Sequence, residues 1–457
     1  MSSVVWDAEK RLSQRAGGRQ LRKERRVSYW PLSFINDVNG VRVGGEAELD
    51  EALEAAAQTA GVKWDHDKDW RGNKGKHLGV VMQDQRRHQK YRCQKKKAAW
   101  EVVRRLSKLP ARGKRTILTQ QLLPILTYGS ELYPDPSEQQ RRLEYEIYRW
   151  AAGAYPGSRK DKVQALIGLD DIGVIMRNKR IRWAASVYAR HVPELRKIAE
   201  PILTEFLEED TELRWMQGAG PEGKIEIEVK ELAEEEVEEW SDGSRIDGRA
   251  AGATRRRGCY LGEWATVADA EEMGVLLAWE DCNVVALDSQ GVIRRIYNLQ
   301  YTQPRSWIEE GLIARMREKP RTLMWVKGHS GVKGNEEADE TAGKTVKRGR
   351  RWREKAVATP AGIKQEFPIY PKAPAHMGWS ARAIKGLVYM VTDKGPQRQW
   401  LWEIGKCEEQ WCVCDGWTPQ NAAHLMECPW VGDGKGRRVE MIWDDERWCE
   451  AVADFIM

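Results

Sequence analysis

The stretch T-L-M-W-V-K-G-H-S-G-V-K-G-N-E-E-A-D, residues Thr322 to Asp339, decides how the rest of the chain is to be understood. Its apolar opening reads as a strand, Gly328 and Gly331 break it, and Asn335 to Asp339 open a helix. Three further acids stand at similar places: Asp242 in S-D-G-S, Glu271 in D-A-E-E and Asp288 in A-L-D-S-Q. Gly243 and Ser244 favour turns, so the spacing predicts that a strand ends at Asp242. Ala270, Met273 and Leu277, with Val275 nearby, give A-E-E-M-G-V-L-L-A-W-E one apolar helical face. The β-branched run V-V-A-L before Asp288 suits a buried strand. Taken singly, an Asp before Gly is a turn residue and an Asp at a helix start is a cap. Four acids at strand ends and helix starts ask for more. Gathered carboxylates raise one another's pKa, and hard divalent cations held by oxygen ligands relieve the repulsion. Two such ions roughly 4 Å apart activate a water and stabilise the leaving oxygen of a phosphodiester. The expected chemistry is hydrolysis of a nucleic-acid backbone.

The order of these acids and the words around them resemble ribonuclease H, which cuts the RNA strand of an RNA–DNA hybrid. In that family the first Asp ends the opening strand, the Glu lies on the first helix, the next Asp ends the fourth strand and the last begins the final helix. The resemblance implies an α/β ribonuclease H domain over residues 235–348, with a mixed five-stranded sheet and helices. It implies that Asp242, Glu271, Asp288 and Asp339 hold two Mg²⁺ ions, with Mn²⁺ as a substitute, and that cleavage leaves 3′-hydroxyl and 5′-phosphate ends. His329 would sit on a loop beside the metals and serve proton transfer or product release. Asn335 would orient that loop. Gly243, Ser244, Ser289 and Gln290 would lie against the nucleic acid, Ser289 and Gln290 in reach of 2′-hydroxyls, although both also read simply as the start of the next helix. Glu272 stands as the alternative to Glu271; the family's A-E word favours Glu271. One departure is the run E-E-E-V-E-E-W-S before Asp242, more acidic than a central strand should be, because charges are rarely buried unpaired.

At 457 residues the chain is expected to hold two or three units. Hydrophobic residues at 41% suffice for cores, and 32% charged residues point to a soluble protein. There is no apolar run of about 18 residues, and the start M-S-S-V-V-W-D-A-E-K lacks a signal-peptide pattern. Eight cysteines over this length do not make a disulfide framework. An intracellular, reduced protein is expected, nuclear or cytoplasmic and without membrane contact. The net charge of +6 is modest but segregated. Positive charge concentrates in Lys10–Arg26, Arg86–Arg115, Arg255–Arg257 and Lys347–Lys355, and negative charge in Glu205–Glu239. The basic segments are thus expected to meet phosphate. R-R-H-Q-K-Y-R-C-Q-K-K-K, Arg86 to Lys97, reads as a phosphate-binding helix or as a solvated surface. Residues 205–234 read as an acidic linker.

Apolar residues at helical spacing predict a helical region over 81–204. Its words, K-H-L-G-V, then L-L-P-I-L-T-Y-G-S-E-L-Y and a helical tail, resemble the segment after the palm in reverse transcriptases of non-long-terminal-repeat retrotransposons of the kind common in fungi. There it forms the thumb and the connection to ribonuclease H. The resemblance covers about residues 45–457. A polymerase of that family needs an aromatic-x-Asp-Asp turn; the Asp-Asp pairs here, Asp170-Asp171 and Asp444-Asp445, stand in other contexts. Residues 1–80 would be a partial palm remnant or an irregular region, and no polymerase activity is expected.

Within the C-terminal region, 349–457, Cys412, Cys414, His424 and Cys428 supply the ligand set of a closed tetrahedral zinc site. The words C-V-C-D-G and N-A-A-H-L-M-E-C-P resemble the knuckle that ends the same reverse transcriptases, which implies a structural Zn²⁺. Cys407 is an alternative ligand, and Cys93, Cys259, Cys282 and Cys449 read as ordinary thiols. Tryptophan is abundant, 22 against 4 Phe, and Trp64, Trp70, Trp411 and Trp417 fall outside helical stripes, where they either pack or stack on bases. The expected activity is hydrolysis of the RNA strand of hybrids. The rival is a catalytically inactive nucleic-acid-binding remnant, and a DNA-cutting relative of the same fold is a third reading.

Overall fold

Asp247 and Gly248 both take positive φ, 49° and 81°, and so close a tight two-residue hairpin. From this turn the central sheet grows. A computed structural model describes residues 100–101 and 109–456, apart from breaks at 131–134, 189–192, 208–210, 217–223, 353 and 432–441, together with four short strands before residue 82. Met1–His77 and Leu78–Met457 form separate units. In the first, Leu32–Phe34 pairs antiparallel with Asp37–Asn39. The basic segment Arg86–Lys97, Trp64, Trp70 and Cys93 lie outside the described residues.

The second unit is mixed α/β. Its sheet has six strands: β1 (Ile227–Lys230), β2 (Glu239–Ile246), β3 (Arg249–Thr254), β4 (Gly258–Gly262), β5 (Val284–Leu287) and β6 (Arg321–Trp325), in the order β1-β6-β5-β2-β3-β4. The pairs β2–β3 and β3–β4 are antiparallel; β5 runs parallel to β2, β6 to β5 and β1 to β6. Helices α1 (Val267–Ala278), α2 (Gln290–Asn298) and α3 (Trp307–Glu318) share a core with Val285, Leu287 and Leu323. The alternate residues Ala286 and Met324, with Trp240, pack on the other face against Ala338 of α4 (Lys333–Trp352). The period-two alternation of a strand thus feeds two cores at once.

Three expectations are corrected here. The sheet has six strands and not five, because β1 forms within the segment read as linker; its exposed Glu228 and Lys230 suit an edge, where charge also discourages pairing with other chains. Strand β2 does not end at Asp242 but runs four residues further, to Ile246, with Gly243 opposite Gly252 and Ser244 opposite Ala251. The acidic run before Asp242 is tolerated because buried Glu239 pairs with Arg255 at 2.7 Å, while Glu234–Glu236 form an exposed 3₁₀ turn. Arg255 and Arg257, the latter 2.8 Å from Glu280, are therefore engaged in ion pairs within the fold.

Residues before and after the sheet are helical. Helix Glu138–Ala152 begins at a capping box, Ser137 with Gln140, and ends at left-handed Gly153. Glu144 on it is fully buried, ion-paired with Lys160 at 2.8 Å and accepting the N–H of Ile172 at 2.7 Å. Asp171 caps helix Ile172–Tyr188 through the N–H of Gly173 and pairs with Arg141 at 3.0 Å, which gives this Asp-Asp pair a structural use. Leu118, Leu122, Ile147, Ile167 and Ile175 share one core with Leu387, Cys412, Cys428 and Val452. The helices before the sheet and the segment after it thus close on each other. Helix Pro193–Phe206 joins a further core with Ala358 and Ile363.

Candidate carboxylate site and candidate metal centre

Asp242 lies within β2, 9% exposed, and its Oδ1 accepts the Gly243 N–H at 2.7 Å. What brings a second acid beside it is the absence of side chains at Gly243 and Gly252. A Cβ on Gly243 would stand 2.3 Å from the backbone N of Glu271, and one on Gly252 would stand 2.1 Å from the carbonyl O of Ala270. Helix α1, held at its start by the Thr266–Asp269 capping box, therefore rests directly on the hairpin backbone with Glu271 against β2. Asp288 follows β5, the parallel neighbour of β2, and so reaches the same end of the sheet. Gly328 lies close by: a Cβ there would be 2.6 Å from Asp288 Oδ2. Asp339 is an exposed residue of α4.

Electrostatics ties the four together. Burial, with the nearby carboxylates of Asp288, Asp339 and Glu271, lifts Asp242 to about 7 against the opposing hydrogen bond from Gly243. Glu271 is likewise raised by burial and by Asp288, while the Ser289 hydroxyl favours its charged form. Its Oε2 is buried with no hydrogen-bond partner among the described residues. Glu272 turns into the core: it is fully buried, 2.8 Å from Arg295, which also holds Glu309 at 2.7 Å. Burial pushes Glu272 to about 8. Of the two neighbours, Glu271 is the one facing the other acids.

The remaining candidates sit around this cluster. Ser289 caps α2 by backbone position only, its hydroxyl being directed to Glu271, and Gln290 is exposed in the first turn. Gly243 and Ser244 are half-buried in β2. His329 is exposed in the loop after β6 with φ 50°, a left-handed conformation unusual for a residue with a side chain. Asn335 is 4% exposed, with Oδ1 unpartnered among the described residues. The donors of this cluster are all carboxylate oxygens, the kind of ligand that hard divalent cations take.

Cys412, Cys414, His424 and Cys428 form a much tighter group, with one ligand atom from each lying within 4.8 Å of the others. Among the described residues it is the only such group of three or more. Cys412 Sγ is 3.9 Å from Cys428 Sγ, and Cys414 Sγ is 3.1 Å from His424 Nε2. A turn sets this spacing. The N–H of Cys412 donates to the Thr418 carbonyl at 2.7 Å, Gly416 N–H returns to the Cys412 carbonyl at 2.9 Å, and Asp415 accepts from the N–H groups of Trp417 and Thr418. Asn421 then caps the short helix Ala422–Leu425 that carries His424. Two thiols of the group are buried, so it can hold a metal ion as a closed site. Cys407 bonds the carbonyls of Arg398 and Glu409 and stands outside the group.

No protein-family model and no curated protein matches this chain.

Two positions in contact with Asp288 are not marked by the sequence pattern. Trp325, at the end of β6, donates its indole N–H to the Asp288 carbonyl at 2.9 Å, and Gly328 leaves room for the Asp288 carboxylate. An aromatic residue and a glycine flanking V-K were the available signal. Trp417 is 73% exposed and Trp411 37%, so neither is buried in a core.

Proposed function

We propose that the chain is a nuclease with a ribonuclease H-like domain that hydrolyses the RNA strand of RNA–DNA hybrids, as part or remnant of a retrotransposon reverse transcriptase. The observation that carries this reading is the succession of acids: Asp242 on the first strand of the β2–β6 set, Glu271 on the first helix after it, Asp288 after the fourth strand and Asp339 in the last helix. Their mutual influence on Asp242 supports it further.

Asp242, Glu271, Asp288 and Asp339 would hold two Mg²⁺ ions, which when bound supply an activated water and charge stabilisation at the leaving oxygen. The protein's own part is placement. The glycine contact of α1 on β2 fixes Glu271, Trp325 and Gly328 bound the position of Asp288, and Ser289 keeps Glu271 oriented. His329, exposed on its loop, is free to move a proton at the departing strand. A Zn²⁺ on Cys412, Cys414, His424 and Cys428 would serve structure, since two of these thiols belong to a core.

The test is cleavage of a labelled hybrid in Mg²⁺, Mn²⁺ or Ca²⁺, beside DNA-duplex and RNA-duplex controls. Cleavage of the RNA strand in Mg²⁺ or Mn²⁺ and little in Ca²⁺ is expected, with Asp242→Asn and Asp288→Asn inactive yet still binding. Wild type that binds hybrid without cutting it in any metal would instead identify the inactive nucleic-acid-binding remnant. No primer extension on an RNA template is expected.

A further inference from the structure

Helix α2 begins one residue past Ser289, beside the carboxylates, and one of its faces is unlike the others. Gln290, Arg294 and Tyr297 recur at helical spacing, are all exposed, and lead to Tyr301 just beyond the helix end. Tyr297 is 37% and Tyr301 73% exposed, and their rings lie 6.4 Å apart at 71°, an edge-on pair at the surface. The opposite face is conventional, with Val292, Ile293 and Ile296 buried in the sheet core. Adjacent arginines are used differently. Arg295 is held between Glu272 and Glu309, whereas Arg294 is exposed and makes no ion pair among the described residues.

Between the acids that flank it, this stretch of sequence carries charge of one sign. Between Asp288 and Glu309 the chain holds Arg294, Arg295 and Arg305 and no acid, although it contains 69 acidic residues overall. Glu309 is itself buried on Arg295, so no free carboxylate from this stretch opposes an anion at Arg294. An amide, a guanidinium and two exposed aromatic rings in succession are the groups that meet, in turn, a sugar or base edge, a phosphate and bases.

We infer that the Gln290–Arg294–Tyr297–Tyr301 strip is a nucleic-acid track that carries a strand away from the carboxylate site, Arg294 on a backbone phosphate and the two tyrosines on bases or sugars. Gln290 and Tyr297 are about 10 Å apart along the helix, which spans roughly three phosphates at about 3.4 Å per step. The inference builds on the nuclease reading of the adjoining acids but is tested by binding alone.

The experiment is fluorescence anisotropy of the full chain with a fluorescein-labelled RNA–DNA hybrid, in Ca²⁺ and over a range of salt, run beside Mg²⁺ cleavage by wild type. Arg294→Ala should weaken binding and lower the salt slope by about one. Tyr297→Ala with Tyr301→Ala should weaken binding about tenfold, while Tyr297→Phe with Tyr301→Phe, which keeps both rings, should bind as wild type does. Unchanged melting curves exclude misfolding, since all three side chains are exposed. If the alanine variants bind as tightly as wild type, or wild type binds no hybrid, the track is wrong. If they lose binding while wild type fails to cut, the track stands and the nuclease reading falls.

Discussion

Trp325 donates its indole N–H to the carbonyl oxygen of Asp288 across 2.9 Å, so the side chain that ends β6 holds the residue that follows β5. A single neutral hydrogen bond is worth about 1 kcal/mol. Trp325→Phe keeps the ring and removes the donor, and should lower kcat for hybrid cleavage roughly fivefold with KM and Tm little changed. An unaltered kcat would show that the bond does not position Asp288.

Gly328→Ala should be more damaging. The added methyl would lie 2.6 Å from Asp288 Oδ2, and the carboxylate is the nearest group able to give way. Hybrid cleavage should drop by at least tenfold, a loss of about 1.4 kcal/mol in transition-state stabilisation, while the circular-dichroism melt stays close to wild type. Full activity in this variant would place Asp288 outside the chemistry.

Asp242 makes stability depend on pH in an unusual direction. Its folded pKa of about 7 lies above the ordinary 3.8, so the folded state keeps a proton that the unfolded chain releases. Its contribution is neutral below both values, turns unfavourable as pH rises between them, and is fully unfavourable above about 7. Asp242→Asn should therefore be more stable than wild type at pH 8, by at most about 4 kcal/mol, with the gap closing towards pH 4. Urea unfolding in EDTA at several pH values measures this, and a gap independent of pH would contradict it.

The two neighbouring glutamates should separate cleanly. Glu271→Gln should abolish cleavage and leave folding intact. Glu272→Gln leaves the half-buried Arg295 with only Glu309 in close contact and should cost about 1–3 kcal/mol of stability, with cleavage partly kept at low temperature. The reverse pattern would reassign the helix ligand.

For the Cys/His group, one zinc per chain is expected by elemental analysis, lost in Cys414→Ser. Because Cys412 and Cys428 share a core with Leu118, Ile147 and Val452, removing the ion should lower the melting of the helical body and not of the C-terminal segment alone. Protein purified without chelator and free of zinc would reject the site.

Local pattern made part of this legible. V-V-A-L, the strand before Gly328 and the helix after Asn335 follow from residues within a few positions of each other, and so does the Cys/His turn. The extension of β2 past Gly243 was hidden because glycine reads as a turn former, whereas here its use is to admit the backbone of α1. Strand β1 was hidden because an edge tolerates the charges that mark a linker. The partners that decide Glu271 over Glu272, Arg295 and Ser289, come from a different helix, and spacing along the chain does not report them.

The core that joins residues 118–176 to residues 377–452 has a consequence for how the molecule is made. During synthesis the early helices leave the ribosome with their apolar faces uncovered and wait for some two hundred residues before their counterpart arrives. Contacts so distant in sequence form slowly, and exposed apolar surface invites aggregation meanwhile. Fragments ending near Trp352 should therefore collect as insoluble protein, and the last segment, supplied as a separate chain, should restore their solubility.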